Sequence, residues 1–146
     1  MIVLDAYAVL AFLKGEPAAA EVRALLEGGE SAALTAVGVA EVLDHLIRIM
    51  GIDEENAVLD LAQLELLDPH VIDAPTGVGA GRLRACRYHR TRCAVSLADC
   101  IAAETARRLD AELATSDPHL LDFCHAENIA IRPLTASDGS QWTPPT

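Results

Sequence analysis

Apolar residues along this chain form two kinds of segment: short continuous runs, and longer stretches in which they recur at helical spacing. A short apolar run rich in β-branched residues predicts a strand that is buried on both faces. The first of these runs ends abruptly at Asp5, where the Ala- and Leu-rich residues of a predicted helix begin. Runs of the same kind lie at residues 2–4, 31–35, 70–74, 111–115 and 129–132.

Stretches with helical spacing separate these runs, and Gly, Pro and capping residues bound them. They predict helices at about 6–13, 18–27, 37–50, 54–67, 97–109 and 117–127, and an arginine-bearing helix that ends near residue 92. The Gly-rich stretch 76–82 predicts a connection, and its glycine spacing does not match a dinucleotide-binding fingerprint. Strands that alternate with helices predict an α/β fold, in which right-handed crossovers place helices on both faces of a parallel sheet.

Length and composition predict one domain with an aliphatic core. The chain has 146 residues, of which 51% are hydrophobic and 3% aromatic, which is enough for a single core. We predict a folded domain at 1–134 and a flexible tail at 135–146, unless Trp142 docks on the domain. No apolar run has the roughly 18 residues of a membrane span and no signal peptide is evident, so we expect a cytoplasmic protein with no membrane contact. The four cysteines lack metal-ligand spacing and are predicted to be free buried thiols.

Charge is distributed unevenly along the chain. The net charge of −11 argues against non-specific attraction to nucleic acid, which depends on Lys and Arg. No acidic residue lies between Asp73 and Asp99, whereas five arginines do, together with Tyr88 and His89; the arginines are Arg82, Arg84, Arg87, Arg90 and Arg92. On a helix they would spread around most of the circumference. The segment is therefore either an RNA-binding surface or a set of ordinary solvated arginines.

Three aspartates lie at predicted junctions between strands and helices, and each has a structural explanation. Asp5 follows the first strand, where an Asp commonly caps the next helix. Asp99 is the acid of a Ser-x-x-Asp capping box that begins at Ser96. Asp117 precedes Pro118, a pair that is typical of a helix start. Taken singly, each is more simply a capping residue than a chemical one.

Taken together, the acids predict a cation site. Asp5 and Asp117 both follow a strand, Asp99 begins the helix that leads into the second of those strands, and Glu41 follows another strand, although its helical face alone predicts solvent exposure. The carboxyl ends of parallel strands meet at one edge of a sheet, where ligands bind in open α/β folds. Carboxylates gathered there repel one another, so a cation is expected between them. Oxygen ligands favour Mg²⁺ or Mn²⁺, and such ions promote hydrolysis of phosphodiesters.

Four short motifs carry a resemblance to a known family. They are Ile-Val-Leu-Asp-Ala-Tyr-Ala at 2–8, Ala-Glu-Val-Leu at 40–43, Ser-Leu-Ala-Asp-Cys at 96–100 and Leu-Ala-Thr-Ser-Asp at 113–117. In their order and spacing, residues 1 to about 134 resemble a PIN-domain ribonuclease of the VapC type, the toxin of a toxin–antitoxin pair. Many relatives carry Ser, Thr or Asn two residues after the first Asp, where this chain has Tyr7, so a contribution of that small polar group to the site is not expected here.

The resemblance implies a fold, an activity and partners. The implied fold has five parallel strands in the order 3-2-1-4-5. The implied activity is Mg²⁺-dependent cleavage of RNA, with Asp5, Glu41, Asp99 and Asp117 as catalytic and metal-binding residues and Thr115 in a polar supporting role. The implied partners are a VapB-like antitoxin and a second copy of the chain, which would use the apolar helical surfaces near residues 37–67.

Two other interpretations stay open at this point. The acidic pocket could hold a metal ion without turnover in a regulatory or RNA-binding module, and Tyr7 is the residue that favours this interpretation. Alternatively, Asp5 could be the nucleophile of a phosphotransfer enzyme. Haloacid dehalogenase-like sites have a second Asp two residues later, and this chain has Tyr7 at that position.

Overall fold

The computed structural model describes residues 1–67 and 72–146. Within these residues, four strands form one parallel sheet: β1 (Ile2–Leu4), β2 (Ala32–Ala33), β3 (Glu112–Thr115) and β4 (Ile131–Pro133). Seven α-helices accompany them: α1 (Ala6–Lys14), α2 (Ala19–Glu27), α3 (Ala36–Asp44), α4 (Glu54–Gln63), α5 (Ala74–Arg87), α6 (Leu97–Arg108) and α7 (Pro118–Ala126). A π-helical turn, His45–Ile49, extends α3. None of the described helices is both long and apolar enough to cross a membrane.

The sheet has β1 at its centre and lies between two layers of helices. The strand order is β2-β1-β3-β4, and Ile2 lies opposite Ala32 on one side and Glu112 on the other. Because side chains alternate along a strand, Ile2 and Leu4 pack with residues of α1–α4, whereas Val3 packs with residues of α5–α7. The predicted α/β class and the parallel sheet are confirmed.

The described sheet has four strands instead of the five expected, and the predicted third strand, at 70–74, is not among them. Residues 70 and 71 of that prediction lie outside the described residues. Its last residue, Ala74, instead begins α5, because the Asp73 carboxylate accepts hydrogen bonds from the Thr76 N–H and hydroxyl and so caps that helix. Pro75 then occupies the first turn, where a missing N–H does no harm.

The prediction of a Gly-rich connection at 76–82 is wrong, because α5 runs through it. The helix forms despite its glycines because one of them, Gly79, packs closely against α6. A Cβ at this position would lie 2.4 Å from Glu104 Oε1 on α6, so any larger residue would force the Glu104 side chain to move. Glu104 is 1% exposed and accepts a hydrogen bond from Arg107 Nε at 2.8 Å. Packing on α6 therefore overrides the low helix propensity of the segment.

The helix also ends earlier than predicted, at Arg87 instead of residue 92. Tyr88 leaves the helix with extended backbone angles. A tight turn follows, in which the backbones of His89 and Cys93 exchange two hydrogen bonds of 2.9 and 3.0 Å. Two of the five clustered arginines, Arg90 and Arg92, therefore lie on a turn, and the other three lie on α5.

The C-terminal residues after β4 contact the domain at two places. The Thr135 N–H and hydroxyl donate hydrogen bonds to the Glu21 carboxylate on α2. Trp142 Nε1 donates to Asp122 Oδ1 on α7 at 2.8 Å, and the indole meets the His125 ring edge-on with the ring centroids 5.9 Å apart. The Trp142 ring, which the sequence marks as the one possible anchor of this segment, therefore docks on α7.

Substitution of the α5 glycines tests this packing. We expect Gly79→Ala to lower the free energy of unfolding by about 1–3 kcal/mol, because Glu104 must leave its buried ion pair to make room for a methyl group. Gly81→Ala is the matched control on the same helix. A Cβ at Gly81 meets no atom within 4 Å, so that variant gains about 0.5–1 kcal/mol from helix propensity alone. Urea unfolding midpoints measure both changes, and equal shifts in the two variants would contradict the packing.

Candidate metal centre

The junctions that follow β1 and β3 bring Asp5 and Asp117 to the same edge of the sheet. β1 and β3 are adjacent and parallel, with Leu4 opposite Ala114. The Asp5 N–H continues the pairing by donating to the Ala114 carbonyl at 3.0 Å. Asp117 follows β3 by two residues and begins α7. Both acids thus follow strands that end at a common edge, as their positions in the sequence predict.

Asp5 stands at the N-cap position of α1, but its side chain does not cap the helix. Its backbone is extended, with φ −68° and ψ 147°, and the carboxylate accepts no hydrogen bond from the first turn. Instead Asp5 Oδ2 accepts from Thr115 Oγ1 at 2.9 Å. The residue is only 3% exposed. The capping interpretation is therefore wrong for Asp5, because its carboxylate is bonded to Thr115 and not to the first turn of α1.

Asp99 and Asp117 do act as caps, as the sequence predicted. Ser96 and Asp99 form a reciprocal capping box: the Asp99 N–H donates to Ser96 Oγ at 3.0 Å, and the Ser96 N–H donates to Asp99 Oδ2 at 2.7 Å. Asp117 Oδ1 accepts from the His119 N–H at 2.8 Å. In both residues the hydrogen bonds within the described chain involve one carboxylate oxygen. A second role for the other oxygen is compatible with the cap.

Electrostatics shows that the four predicted acids share one environment. Burial raises the pKa of Asp5, the negative charges of Asp99, Asp117 and Glu41 add to the rise, and the hydrogen bond from Thr115 opposes it, so that the pKa is about 7. Burial and the charge of Asp99 likewise raise the pKa of Glu41. Repulsion between charges weakens with distance. The structure therefore places the four acids singled out from the sequence within range of one another's charge, with Asp5 affected by the other three.

Glu41 reaches this group from α3, although the spacing of apolar residues predicts a solvated side chain there. Residues of α3 and α1 line a small cavity of about 110 Å³, which Glu41 shares with Tyr7 and His45. Helical periodicity identifies the face that packs on the core, but it cannot show that a neighbouring helix covers part of the opposite face. The signals for this residue were its position after a predicted strand and, above all, the resemblance of the Ala-Glu-Val-Leu motif.

Thr115 connects two of the acids. It is fully buried at the end of β3. Its Oγ1 donates to Asp5 Oδ2 and accepts from the Asp117 N–H at 3.1 Å. One hydroxyl thus fixes the Asp5 carboxylate relative to the first turn of α7. The supporting role that the resemblance implies for Thr115 stays a prediction, and these two hydrogen bonds are compatible with it.

Arg84 is a site residue that sequence reasoning did not separate from the other clustered arginines. Its Nε donates to the Val95 carbonyl at 3.0 Å, and its guanidinium lies 4.1 Å from the centre of the Tyr88 ring. Burial raises the pKa of Asp99, while the hydrogen bonds from Ser96 and the charge of Arg84 oppose that rise. Arg84 therefore favours the ionised form of Asp99.

A signal for Arg84 was present in the spacing along α5. Thr76 and Ala80 are buried, and they precede Arg84 by eight and four residues. Residues four apart lie on the same face of a helix. Arg84 therefore continues the stripe that faces α6, which is visible only once residues 76–82 are recognised as helical.

The chemistry of these donors fits a hard divalent cation. Four carboxylates lie together, and the most buried of them, Asp5, has Thr115 as its sole hydrogen-bond donor within the described chain. Carboxylate oxygens are preferred ligands of Mg²⁺ and Mn²⁺. Within residues 1–67 and 72–146, however, no three acidic, histidine or cysteine side chains already stand in ligand geometry. The donors are gathered, and their side chains would need to turn toward a common ion.

The cysteines do not offer a competing site. All four are free, as predicted, but only Cys100 and Cys124 are buried, whereas Cys93 is half-buried and Cys86 is exposed. Burial raises the pKa of both Cys100 and Cys124 to about 12. With pKa values this high, Cys100 and Cys124 stay protonated at neutral pH. Soft metals bind the thiolate form, which these two residues do not supply.

The raised pKa of Asp5 predicts a pH-dependent loss of stability. The folded state holds this proton up to about pH 7, whereas the unfolded chain releases it near pH 3.8. Without metal ions, the contribution of Asp5 to stability is therefore fully present below pH 4 and is lost as the pH rises to 7. Asp5→Asn avoids this loss, so in EDTA we expect it to exceed the wild-type free energy of unfolding by about 4 kcal/mol at pH 8 and to match it near pH 4.

Urea unfolding at the two pH values measures this difference. The control is Asp60→Asn, because Asp60 is a half-exposed residue on α4. This variant should change the free energy of unfolding by the same amount at both pH values. Equal stability of the wild type and Asp5→Asn at pH 8 would contradict the burial of an uncompensated carboxylate.

Comparisons with known proteins agree with this architecture. No curated protein matches the chain. A chain of VapBC2 from Rickettsia felis, in a structure of that complex bound to a DNA fragment from their promoter, matches with a TM-score of 0.67 and 20% identity over 92% of this chain and 99% of that one. A chain of FitAcB from Neisseria gonorrhoeae matches with a TM-score of 0.65 and 22% identity over 90% and 96% of the two chains. The PIN domain family model matches residues 2–126. The chain therefore belongs to the PIN domain family.

Proposed function

We propose that this protein is a Mg²⁺-dependent endoribonuclease, the toxin of a VapBC-type toxin–antitoxin pair. The observation that carries the proposal is the Asp5 carboxylate, which is buried, does not cap its helix, and shares its surroundings with three further acids. A fold keeps such a group only with a cation or a proton, and membership of the PIN family favours the cation, with Mn²⁺ as a possible substitute. Asp5, Glu41, Asp99 and Asp117 are the proposed ligands.

In this proposal the chain's own residues have distinct tasks. Thr115 holds Asp5 in one orientation through the 2.9 Å hydrogen bond. The hydrogen bonds from Ser96 and the charge of Arg84 favour the ionised form of Asp99 against its burial, and the capping box fixes its position on α6. Glu41 approaches from α3 and closes the group of acids on the side of α1. Fixed donors of this kind reduce the reorganisation that binding an ion requires.

The reaction is hydrolysis of a phosphodiester. When bound, the divalent ion would acidify a water for attack on phosphorus and offset charge on the phosphate oxygens. A bond forms between the water oxygen and phosphorus, the bond from phosphorus to the 3′ oxygen breaks, and that oxygen takes a proton to leave as an alcohol. The chain's acids orient this centre, and Arg84 is the cation beside it that can face an approaching phosphate.

An antitoxin partner, a homodimer and a cytoplasmic location are further parts of the proposal. Two of the structural neighbours are chains of VapBC2, which is bound to a DNA fragment from their promoter, and of FitAcB, and the resemblance to VapC-type proteins implies an antitoxin partner. The net charge of −11 suits a cationic antitoxin segment that reaches the acids. For the homodimer, five apolar side chains in residues 37–67 are between 39% and 57% exposed: Ile47, Ile49, Met50, Leu59 and Leu67. Exposed apolar groups of this kind favour a protein interface.

Cleavage of RNA tests the proposal. We expect the purified protein to cut single-stranded or looped RNA with Mg²⁺ and to lose the activity in EDTA. Asp5→Asn and Glu41→Gln should each lower kcat/KM by at least about 100-fold, because stabilisation of charge by a bound ion is worth several kcal/mol.

The matched control is Asp44→Asn. Asp44 is one turn from Glu41 but is exposed and paired with Arg48 at 2.7 Å, so this variant should keep activity within about 2-fold, as is usual for changes at such surface pairs. Undiminished cleavage by Asp5→Asn would remove the metal-ligand assignment. Binding of Mg²⁺ without cleavage of any RNA would favour the alternative, a regulatory module with an altered PIN site.

A further inference from the structure

A cavity of about 440 Å³ adjoins the acid cluster on the side of Asp117. Three segments form it: the outer face of α1, the turn between β3 and α7, and the first residues after β4. Its lining includes Tyr7, Lys14, Ser116, Asp117, Thr135 and Ser137. The volume lies in the range of about 300–1,000 Å³ that is typical of pockets for small organic ligands. The proposed metal ligands account for only one residue of this lining, Asp117.

Tyr7 is the aromatic residue of this cavity lining. It is the second residue of α1, between the buried residues Ala6 and Ala8, and its own side chain points outward with 60% exposure. Tyr7 also lines the smaller cavity that contains Glu41. Tyr7, two residues after Asp5, therefore borders both cavities, and each of these cavities also has one of the four acids in its lining.

The other exposed aromatic rings already have partners. The guanidinium of Arg84 lies 4.1 Å from the centre of the Tyr88 ring, so one face of Tyr88 is covered. Trp142 is held by its hydrogen bond to Asp122 and by its edge contact with His125. Tyr7 has neither an aromatic nor a cationic partner within the described residues. It is thus the ring with faces available for a ligand.

Charge indicates which part of a nucleotide the cavity suits. Lys14 Nζ lies 3.0 Å from Glu16 Oε1, so the one cation of the lining is already paired. Asp117 adds a negative charge, which disfavours a phosphate. The hydroxyls of Ser116 and Ser137 can donate or accept hydrogen bonds. An uncharged, flat group with polar edges fits this lining better than an anion does.

We propose that this cavity binds one unstacked base of the RNA strand next to the cleaved phosphate, and that Tyr7 stacks on that base. The inference rests on the proposed ribonuclease function and adds a subsite for a base to it. Single-stranded RNA is recognised by bases that splay out and stack on aromatic side chains. Tyr7 thereby becomes a specificity-determining residue, and the C-terminal segment at 135–137 supplies the wall that faces it.

Fluorescence of 2-aminopurine measures the stacking without any need for turnover. A short single-stranded RNA carries one 2-aminopurine, which is moved position by position, and is bound to the Asp5→Asn protein in Mg²⁺. We expect quenching at one position. Adding Tyr7→Ala should abolish that quenching and weaken binding by about 5- to 100-fold, whereas Tyr7→Phe should preserve both, since only the ring is needed.

Tyr88→Ala is the matched control, because Tyr88 is the chain's other tyrosine and is 46% exposed. It should leave the quenching in place. Loss of quenching in Tyr88→Ala, with retention in Tyr7→Ala, would overturn the proposal and assign the stacking to Tyr88. Absence of quenching at every position would overturn it as well.

Substrates with one abasic nucleotide give a second measurement, on the wild-type enzyme. Removing the base at one position should raise KM by about 5- to 100-fold with little change in kcat. In Tyr7→Ala the same abasic substrate should be no worse than the intact one, because the two changes remove one interaction. Additive losses would contradict the pairing of Tyr7 with that base.

The outcomes distinguish this proposal from the proposed function. If RNA is cleaved normally but no position shows this coupling, the cavity assignment alone fails. If no RNA is bound or cleaved, both proposals fail.

Discussion

The buried carboxylate of Asp5 is the constraint on which the rest of the site depends. Taking an ionised acid out of water is unfavourable unless it is paired or hydrogen-bonded. Asp5 is 3% exposed, receives one hydrogen bond from Thr115 and faces three other acids. These surroundings raise the pKa of Asp5 to about 7. Below that pH the carboxyl group holds a proton, which a bound cation would replace. An ionised carboxylate buried in this way lowers the free energy of unfolding, and such a loss of stability is typical of residues retained for function.

The parallel sheet produces this arrangement with few residues. β1 has three residues and β3 has four, yet their pairing fixes Asp5 beside the Thr115–Asp117 turn. Two of the other acids gain rigidity by capping helices, so structural and chemical roles coincide in Asp99 and Asp117. Asp5 differs from them, because the hydrogen bond that it accepts comes from another strand. Capping had been the simplest explanation of each acid taken alone, and it holds for two of the three.

Local sequence predicted the parts of the structure that local physics determines. β1, the capping box at Ser96 and the Asp117–Pro118 helix start each follow from a few adjacent residues. The course of α5 did not, because residues 76–82 are helical through contact with α6, where Gly79 makes room for Glu104. Arg84 was hidden by the same error, since its alignment with Thr76 and Ala80 exists only on a helix. Glu41 is half-buried because α1 lies beside it. The spacing of apolar residues along α3 cannot indicate that contact.

Proton release on ion binding tests the central claim most directly, namely that a divalent ion takes the place of the proton on Asp5. Calorimetric titration with Mn²⁺ at pH 6, in buffers of different ionisation enthalpy, should show release of a large fraction of one proton for each ion bound by the wild type. Asp5→Asn should bind more weakly and release none from this position. Absence of Mn²⁺ binding, or equal affinity and equal proton release in the two proteins, would contradict the exchange of a proton for an ion at Asp5.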